Sequence, residues 1–281
     1  MTLLEQQLSR ADTKAGRLQR CLLEAIGEHE RERALPTSGR FLFYELEQRG
    51  VVSKERTGAR RADQDLNEAL TYLRERGLIP WGWIVDESRS LDSWEYASSV
   101  AEYVARSVDY ARINPWRGEP PAILCESKSL VGVLRGLAGT YLCPIAPVNL
   151  ATGFLRTAVA PVLERRAVLY LGDYDVSGGH IEAHARRILE GVLERELGWR
   201  RLAITEGQID ARGLDPIGKT DRRYRPARRY EAWETEALGQ SAVVGLVRGE
   251  LEALCPALEE VVVREERERA AVLARLNGGA A

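Results

Sequence analysis

Two stretches decide how this chain reads: Ala122-Ile123-Leu124-Cys125-Glu126-Ser127-Lys128-Ser129 and, 47 residues on from Glu126, Leu169-Tyr170-Leu171-Gly172-Asp173-Tyr174-Asp175-Val176-Ser177-Gly178-Gly179. In each, a short apolar run (Ala122 to Cys125; Ala167 to Leu171) leads into acid. An apolar run that short, bounded by turn-forming residues, predicts a buried strand, and ligands of open α/β sheets gather at the carboxyl ends of such strands. Glu126, Asp173 and Asp175 are therefore expected to converge from two strand ends. Negative charge concentrated at the edge of an apolar core is unfavourable without a neutralising cation. An oxygen-only donor set with room for water suits Mg²⁺, and Mn²⁺ as an alternative, an arrangement commonly used for phosphate chemistry. A plainer reading stays open, in which Asp173 and Asp175 only cap the helix that follows, near Gly178.

Working outward, the segment after about residue 120 alternates strand and helix. Strands are expected at 123–125, 141–148 and 168–171, with helices at 130–138, 151–165 and 181–197 between and after them. That alternation predicts a parallel sheet. Residues 201–205 read as a further short strand, followed by a basic loop and one or two charged helices. Upstream, Asn114-Pro115-Trp116-Arg117-Gly118-Glu119-Pro120-Pro121 marks a boundary, with three prolines and a glycine in eight residues. Before it, three helices are expected: an amphipathic one within 1–33, one at 38–49 stopped by Gly50, and one at 62–76 stopped by Gly77. A short strand and turn follow at 78–86, then a connector with a helix at 93–111. Three helices and a small strand element in that order suggest a winged helix-turn-helix, which presents a helix to DNA. The expected organisation is an amphipathic helix over 1–33, a winged-helix domain over 34–90, a connector over 91–119, and a parallel-sheet domain with a helical extension over 120–281.

Composition sets limits on the partners. With 40 basic and 42 acidic side chains in 281 residues, the formal net charge is −2. The molecule as a whole does not attract nucleic acid, so any DNA-binding surface must be local. Cys21, Cys125, Cys143 and Cys255 are far apart and form no Cys-x-x-Cys pair, which predicts reduced thiols rather than disulfides or zinc ligands. The first ten residues have no apolar signal core, and no run approaches the ~18 apolar residues of a membrane span. A cytoplasmic protein with no membrane partner is expected.

The glutamate after one strand and the Asp-x-Asp after a later one resemble the signature of the Toprim domain, a Rossmann-like parallel-sheet fold shared by topoisomerases, primases and several nucleases. That resemblance covers roughly residues 120 to 205. It implies an α/β protein in which Glu126, Asp173 and Asp175 hold the metal.

A second constellation lies in Thr37-Ser38-Gly39-Arg40-Phe41-Leu42-Phe43-Tyr44. Arg40 and Tyr44 stand at i and i+4, so they share one helix face about 6 Å apart. A phenol ionises near about pH 10, so a tyrosine that attacks a phosphodiester needs a cation or base beside it, and the crowded phosphate needs positive charge. An arginine can serve both needs while keeping its proton. The alternative is that Phe41, Leu42, Tyr44 and Leu46 form an apolar face packed on the third helix.

With this motif the resemblance narrows to the A subunit of topoisomerase VI and the related meiotic double-strand-break transesterase, which join a winged helix bearing Arg-x-x-x-Tyr to a C-terminal Toprim domain. The chain is most similar to short bacterial and phage-borne relatives, through Gly77-Leu78-Ile79-Pro80-Trp81 and Trp233-Glu234-Thr235-Glu236-Ala237-Leu238. The resemblance implies Tyr44 as nucleophile and Arg40 as its partner, with Glu126 also handling the leaving-group proton. It further implies a homodimer acting on double-stranded DNA, in which the tyrosine of one subunit meets the metal site of the other. The family pattern has an acid after the arginine where this chain has Phe41, and no segment resembles the GHKL-type ATPase B subunit. A separate ATPase of that type is one expected partner. An SMC-like protein is the other, if the chain is instead a hydrolytic Toprim nuclease of the Wadjet defence type. A DNA-binding module without catalysis is the third reading.

Lesser signals complete the set. Arg56, Arg60 and Arg61 in one run, and Arg222, Arg223, Arg228 and Arg229 interleaved with Tyr224 and Tyr230 in another, suit a phosphate backbone, or else a solvated surface. Lys128, two residues beyond Glu126, could reach the same phosphate or pair with an acid. His180 and His184 have zinc-binding spacing but no third ligand. Glu234 or Glu236 could add a carboxylate in the metal's outer shell.

Overall fold

The computed structural model describes residues 7–53, 62–85, 96–148, 152–221 and 228–278. In chain order it contains helix α1 (Lys14–Arg31), strand β1 (Thr37–Ser38), α2 (Gly39–Gln48), α3 (Ala62–Glu75), β2 (Ile84–Val85), α4 (Val100–Asp109), β3 (Ala122–Cys125), α5 (Lys128–Thr140) and β4 (Ile145–Pro147). Next come α6 (Thr152–Phe154), which runs through a π-helical stretch (Leu155–Val159) into α7 (Ala160–Val162), then β5 (Val168–Leu171), α8 (Val176–Leu193), β6 (Trp199–Ala203) and α9 (Glu206–Arg212). A hairpin of β7 (Ile217–Asp221) and β8 (Arg228–Ala232), a 3-10 turn at Thr235–Leu238, α10 (Gln240–Leu254) and α11 (Leu258–Gly278) complete the chain. The protein is thus mixed α/β, mostly helical, around a four-stranded parallel sheet.

That sheet has the order β4-β3-β5-β6, with every neighbouring pair parallel. Its two central strands are buried along their whole length, which is why they read as unbroken apolar runs. Successive side chains of a strand point to opposite faces, and the core divides accordingly. Ile123, Cys125, Leu169 and Leu171 pack with Leu130 and Leu134 of α5 and with Val243, Val247 and Leu251 of α10. Ala122, Leu124, Val168 and Tyr170 pack on the other side with Leu155, Val159 and Ala160, and with Ala185, Ile188 and Leu189 of α8. Helices therefore cover both faces. The pairing Cys125↔Leu171 sets the ends of β3 and β5 level, and the Glu126 amide donates to Leu171 O at 2.9 Å.

The first three helices enclose a separate apolar cluster of Leu22, Ile26, Leu42, Leu46, Leu66, Leu70 and Leu73. Thr13 caps α1 by accepting from the Gly16 amide, and Ser38 caps α2 by accepting from Phe41 N at 3.2 Å. Thr37↔Ile84 and Ser38↔Val85 pair in parallel across this unit, so β1 enters directly into α2 from a strand that composition alone did not mark. Phe41 does not join the three-helix cluster. It is fully buried in the sheet's core, so α2 belongs to both units. Gln48 Nε2 donates to Ala237 O at 2.7 Å and Gln240 Nε2 to Pro36 O at 2.8 Å, fastening the units together at two more points.

Several elements differ from expectation. Among the described residues the stretch expected as one helix over 1–33 is interrupted: Gln7 is helical, residues 8–13 are not, and α1 begins at Lys14 behind its Thr13 cap, while the connector helix begins at Val100 behind Ser99. The strand expected at 141–148 is three residues long, because the chain first turns through Leu142, whose φ is +56°. The segment expected as a basic loop contains the β7–β8 hairpin. All four cysteines are free. Among the described residues no helix is long and apolar enough to cross a membrane.

Candidate active site

The loop after β5 carries Gly172-Asp173-Tyr174-Asp175 into α8, and its shape depends on close approaches. A Cβ on Gly172 would lie 2.6 Å from the Tyr170 hydroxyl, and one on Gly178 would lie 2.3 Å from Asp173 O and 3.3 Å from Glu126 Oε2. Only glycine lets the first turn of α8 come down beside the two acids. Asp175 caps that turn, with Oδ1 accepting from Gly178 N at 2.6 Å. The capping reading of Asp175 therefore holds for one oxygen. Its other oxygen, Oδ2, is 2.7 Å from Lys219 Nζ.

Glu126 and Asp173 meet as expected: Glu126 Oε2 accepts from the Asp173 amide at 3.0 Å. Burial, followed by the charge of Asp173, pushes the Glu126 carboxyl up to about 7. Asp173 is 7 % exposed, and its Oδ1 accepts from the Thr235 amide at 2.9 Å and from the Thr235 hydroxyl at 3.3 Å. Burial opposes ionisation of Asp175 most strongly, but the Lys219 ammonium and the Gly178 amide outweigh it and hold this carboxyl below its usual range.

Two further acids arrive from the segment after β8. Glu234 and Glu236 are 7 % and 1 % exposed. Arg40 bridges them, with Nη2 3.3 Å from Glu234 Oε2 and Nε 3.0 Å from Glu236 Oε1. Glu236 Oε1 also accepts from the hydroxyls of Ser127 at 3.0 Å and Ser129 at 2.9 Å, while its Oε2 is buried with no hydrogen-bond partner among the described residues. Burial raises the Glu234 carboxyl above its usual range against the opposing pull of Arg40. Lys219 Nζ stands among three acids, 2.7 Å from Asp175, 3.5 Å from Glu234 and 3.7 Å from Asp173. Burial disfavours its charge, and Asp175 together with Asp173 overcomes this, leaving the ammonium pKa raised.

Arg40 thus reaches the acids of its own chain, and Tyr44 comes with it. The Arg40 guanidinium lies 6.0 Å from the centre of the Tyr44 ring. Tyr44 is 5 % exposed, yet it belongs to none of the apolar clusters. It lines a cavity of about 1070 Å³ together with Lys219, Arg229 and Glu234. Asp173 and Asp175 border a second cavity of about 510 Å³ on the side of Arg201 and Trp233.

Sequence reasoning did not identify the groups that hold the loop in place. Arg201, on β6, donates through Nη2 to Gly172 O and Asp173 O, both at 2.7 Å, and pairs with Glu182. Tyr174 and Trp233 exchange backbone hydrogen bonds of 2.8 and 3.1 Å, which ties the exit of β8 to the Asp-x-Asp loop. A lone arginine in a strand pattern carries no signal of such a clamp. Lys219 opens the basic run that continues through Arg222 and Arg223, and nothing in that run singles it out.

The remaining candidates lie apart or outside. Lys128 opens α5 and is exposed. His184 accepts or donates to the Thr152 hydroxyl at 3.1 Å and approaches Arg187, and His180 is exposed, so the pair forms no ligand set. Arg229 is exposed on β8. Arg56, Arg60, Arg61, Arg222 and Arg223 lie outside the described residues, as does the side chain of Arg228.

In this acid group Arg40 pairs with Glu234 and Glu236, and Lys219 with Asp173, Asp175 and Glu234. Among those same residues no three acid, imidazole or thiol groups are drawn together as a finished metal cage. The donor chemistry nevertheless suits Mg²⁺ or Mn²⁺: every candidate ligand atom is oxygen, three carboxylates already surround a cationic nitrogen, and Glu236 has a buried oxygen with no partner among the described residues. Glu126, Asp173 and Asp175 would hold the ion, with Glu234 beside them. Comparison with protein-family models, curated proteins and solved structures found no match to this chain.

Proposed function

We propose that this protein cleaves double-stranded DNA with the aid of Mg²⁺ or Mn²⁺, as a relative of the topoisomerase VI A subunit. On this reading the three-helix unit with its small β1–β2 pair is a winged-helix domain, and the parallel sheet with its covering helices is a Toprim domain. The observation that carries the reading is the bridge from Arg40 to Glu234 and Glu236, which sets the Arg40/Tyr44 helix face against the acid cluster. The two motifs stand far apart in the sequence and come together only in the fold.

The roles follow from the chemistry of each group. A divalent ion bound by Glu126, Asp173 and Asp175 supplies the positive charge that a scissile phosphate needs. Arg40 adds a guanidinium beside the attacking group and stabilises charge as it builds on the phosphate oxygens. Tyr44 attacks phosphorus: its oxygen forms the new P–O bond as the bond to the leaving sugar oxygen breaks, and the phenolic proton passes to water in the cavity that Tyr44 lines. In the metal-free protein burial raises the Glu126 carboxyl to about 7; a carboxylate that binds the ion is ionised, so Glu126 can hand a proton to that leaving oxygen only where Asp173 and Asp175 hold the ion without it. The phosphotyrosyl product retains the bond energy for religation. Arg40 and Tyr44 stand against the acids of their own chain, so each centre is built within one subunit rather than shared between two as the resemblance implies; two such centres in a homodimer would cut both strands, with a GHKL-type ATPase or an SMC-like protein as the controlling partner.

One observation favours a second reading. Tyr44 is 5 % exposed, so water could be the nucleophile and Tyr44 a wall of the cavity, as in a hydrolytic Toprim nuclease. Both readings require the metal. Wild-type protein with supercoiled plasmid should convert it to linear or nicked DNA in Mg²⁺ and leave it intact in EDTA. Asp173→Asn and Asp175→Asn should be inactive while remaining folded. Undiminished cutting in EDTA, or by both variants, would overturn the assignment.

A further inference from the structure

Among the described residues, Lys219 is the one cation that stands inside the ring of acids expected to hold the metal, and it arrives there from outside the sheet. Its strand, β7, pairs with β8 in a two-stranded ribbon. Its ammonium lies within 3.7 Å of oxygens from Asp173, Asp175 and Glu234, contributed by two separate parts of the chain. These are oxygens that a divalent ion would use. A dication at ~2.1 Å from its ligands attracts carboxylates far more strongly than an ammonium at hydrogen-bonding distance, but the two cannot share the same space. The ammonium also has somewhere to go. The cavity of about 1070 Å³ beside the site is lined by Lys219 itself, and its side chain is 30 % exposed.

We infer that Lys219 is a tethered cation that holds the carboxylate site in the metal-free protein and must swing into the neighbouring cavity before a divalent ion can load. The inference rests on the metal site assigned under Proposed function. Two consequences distinguish it from a lysine that merely decorates the surface. The apparent metal affinity is lowered by the fraction of molecules in which the ammonium is withdrawn, so removing the ammonium tightens metal binding. The same ammonium neutralises the acids when metal is absent, so its removal makes the metal-free protein less stable and more responsive to metal.

The experiment measures Mn²⁺ binding to the full chain without DNA, by titration with paramagnetic-resonance detection of free Mn²⁺ at low ionic strength. Wild type is compared with Lys219→Met, which keeps the stem and removes the charge, and with Lys219→Arg, which keeps the charge. Lys219→Met should bind Mn²⁺ at least about tenfold more tightly than wild type, because a full positive charge has left the immediate site. Lys219→Arg should bind no more tightly than wild type. Melting curves supply the second readout: Lys219→Met should melt below wild type in EDTA and gain more from Mn²⁺ than wild type gains. If Lys219→Met does not fold without metal, Lys219→Gln purified in Mn²⁺ carries the same expectations. Equal or weaker Mn²⁺ binding by the uncharged variants overturns the inference and leaves a DNA-cleaving wild type untouched. A wild type that neither binds Mn²⁺ nor cuts DNA overturns the functional reading itself, and the inference with it.

Discussion

Arg40 Nε lies 3.0 Å from Glu236 Oε1, the same oxygen that accepts from the hydroxyls of Ser127 and Ser129. One carboxylate thus joins the first turn of α2 to the loop and first turn that follow β3. Removing the guanidinium leaves Glu236, at 1 % exposure, and Glu234 without their shared cation. Breaking a buried pair this way costs up to about 3–5 kcal/mol, and the 42 % exposure of the Arg40 side chain lowers the expectation for Arg40→Ala to about 1–3 kcal/mol. Its cleavage rate should fall by a further ~10²–10³, the usual cost of removing one charged group that steadies the transition state. Urea unfolding and single-turnover cleavage measure the two effects separately. A stable, fully active Arg40→Ala protein would make the bridge incidental.

The pH dependence of stability should carry the signature of Glu126. Its carboxyl is raised from the ordinary 4.5 to about 7, so between those values the folded protein keeps a proton that the unfolded chain has released. Stability from this group is complete below pH 4.5, falls as pH rises through the window, and levels off above pH 7. In EDTA, wild type should therefore lose stability between about pH 5 and pH 8 relative to Glu126→Gln. Mn²⁺ affinity should strengthen over the same interval as the proton leaves. A pH-independent difference between the two proteins would place the Glu126 titration elsewhere.

The paired glycines of α8 give a steric test with an internal control. A Cβ at position 178 meets Asp173 O at 2.3 Å, whereas one at position 179 meets nothing within 4 Å. Gly178→Ala should destabilise the protein by about 1–3 kcal/mol through forced backbone movement and weaken Mn²⁺ binding by displacing Asp173. Gly179→Ala should be neutral or slightly stabilising, since alanine favours the helix. Calorimetry of the two single variants decides it, and equal effects would contradict the described approach of α8 to the acids.

If the basic run that includes Arg228 and Arg229 meets DNA, binding should change its salt dependence when those charges are removed. Replacing Arg228 and Arg229 with alanine should weaken binding to unrelated sequences alike and reduce the slope of log K against log salt by about 0.9 for each phosphate that is no longer neutralised. An unchanged slope, read by fluorescence anisotropy between low and physiological salt, would put the DNA path on another face.

The strands and their acids were legible because burial on both faces forces β3 and β5 to be apolar throughout, and the acids stand where that pattern stops. The same reasoning failed for β7 and β8. A two-stranded ribbon need not alternate, and Lys219, Arg229 and Glu231 read as loop. The alternative reading of this segment puts Phe41 with Leu42, Tyr44 and Leu46 on the third helix, but a single helix face cannot reveal that Phe41 and Leu42 belong to two cores. The Arg201 clamp depends on backbone carbonyls brought close by the fold, and a residue pattern records no carbonyl positions. Glu234 and Glu236 were noticed, while their bridge to a residue nearly two hundred positions earlier was not.

On the proposed mechanism Tyr44, set by Arg40 beside the acid cluster, attacks the DNA. Wild type and Tyr44→Phe should be incubated with end-labelled duplex DNA in Mn²⁺ and stopped with detergent, so that any covalent intermediate is trapped. Labelled DNA should be found attached to wild-type protein, with a peptide containing Tyr44 on the DNA end after proteolysis, and a Tyr44→Phe protein that still folds and binds Mn²⁺ should not cleave. Cleavage by Tyr44→Phe at the wild-type rate, with free 5′-phosphate ends and no adduct, would contradict that mechanism and assign the attack to water.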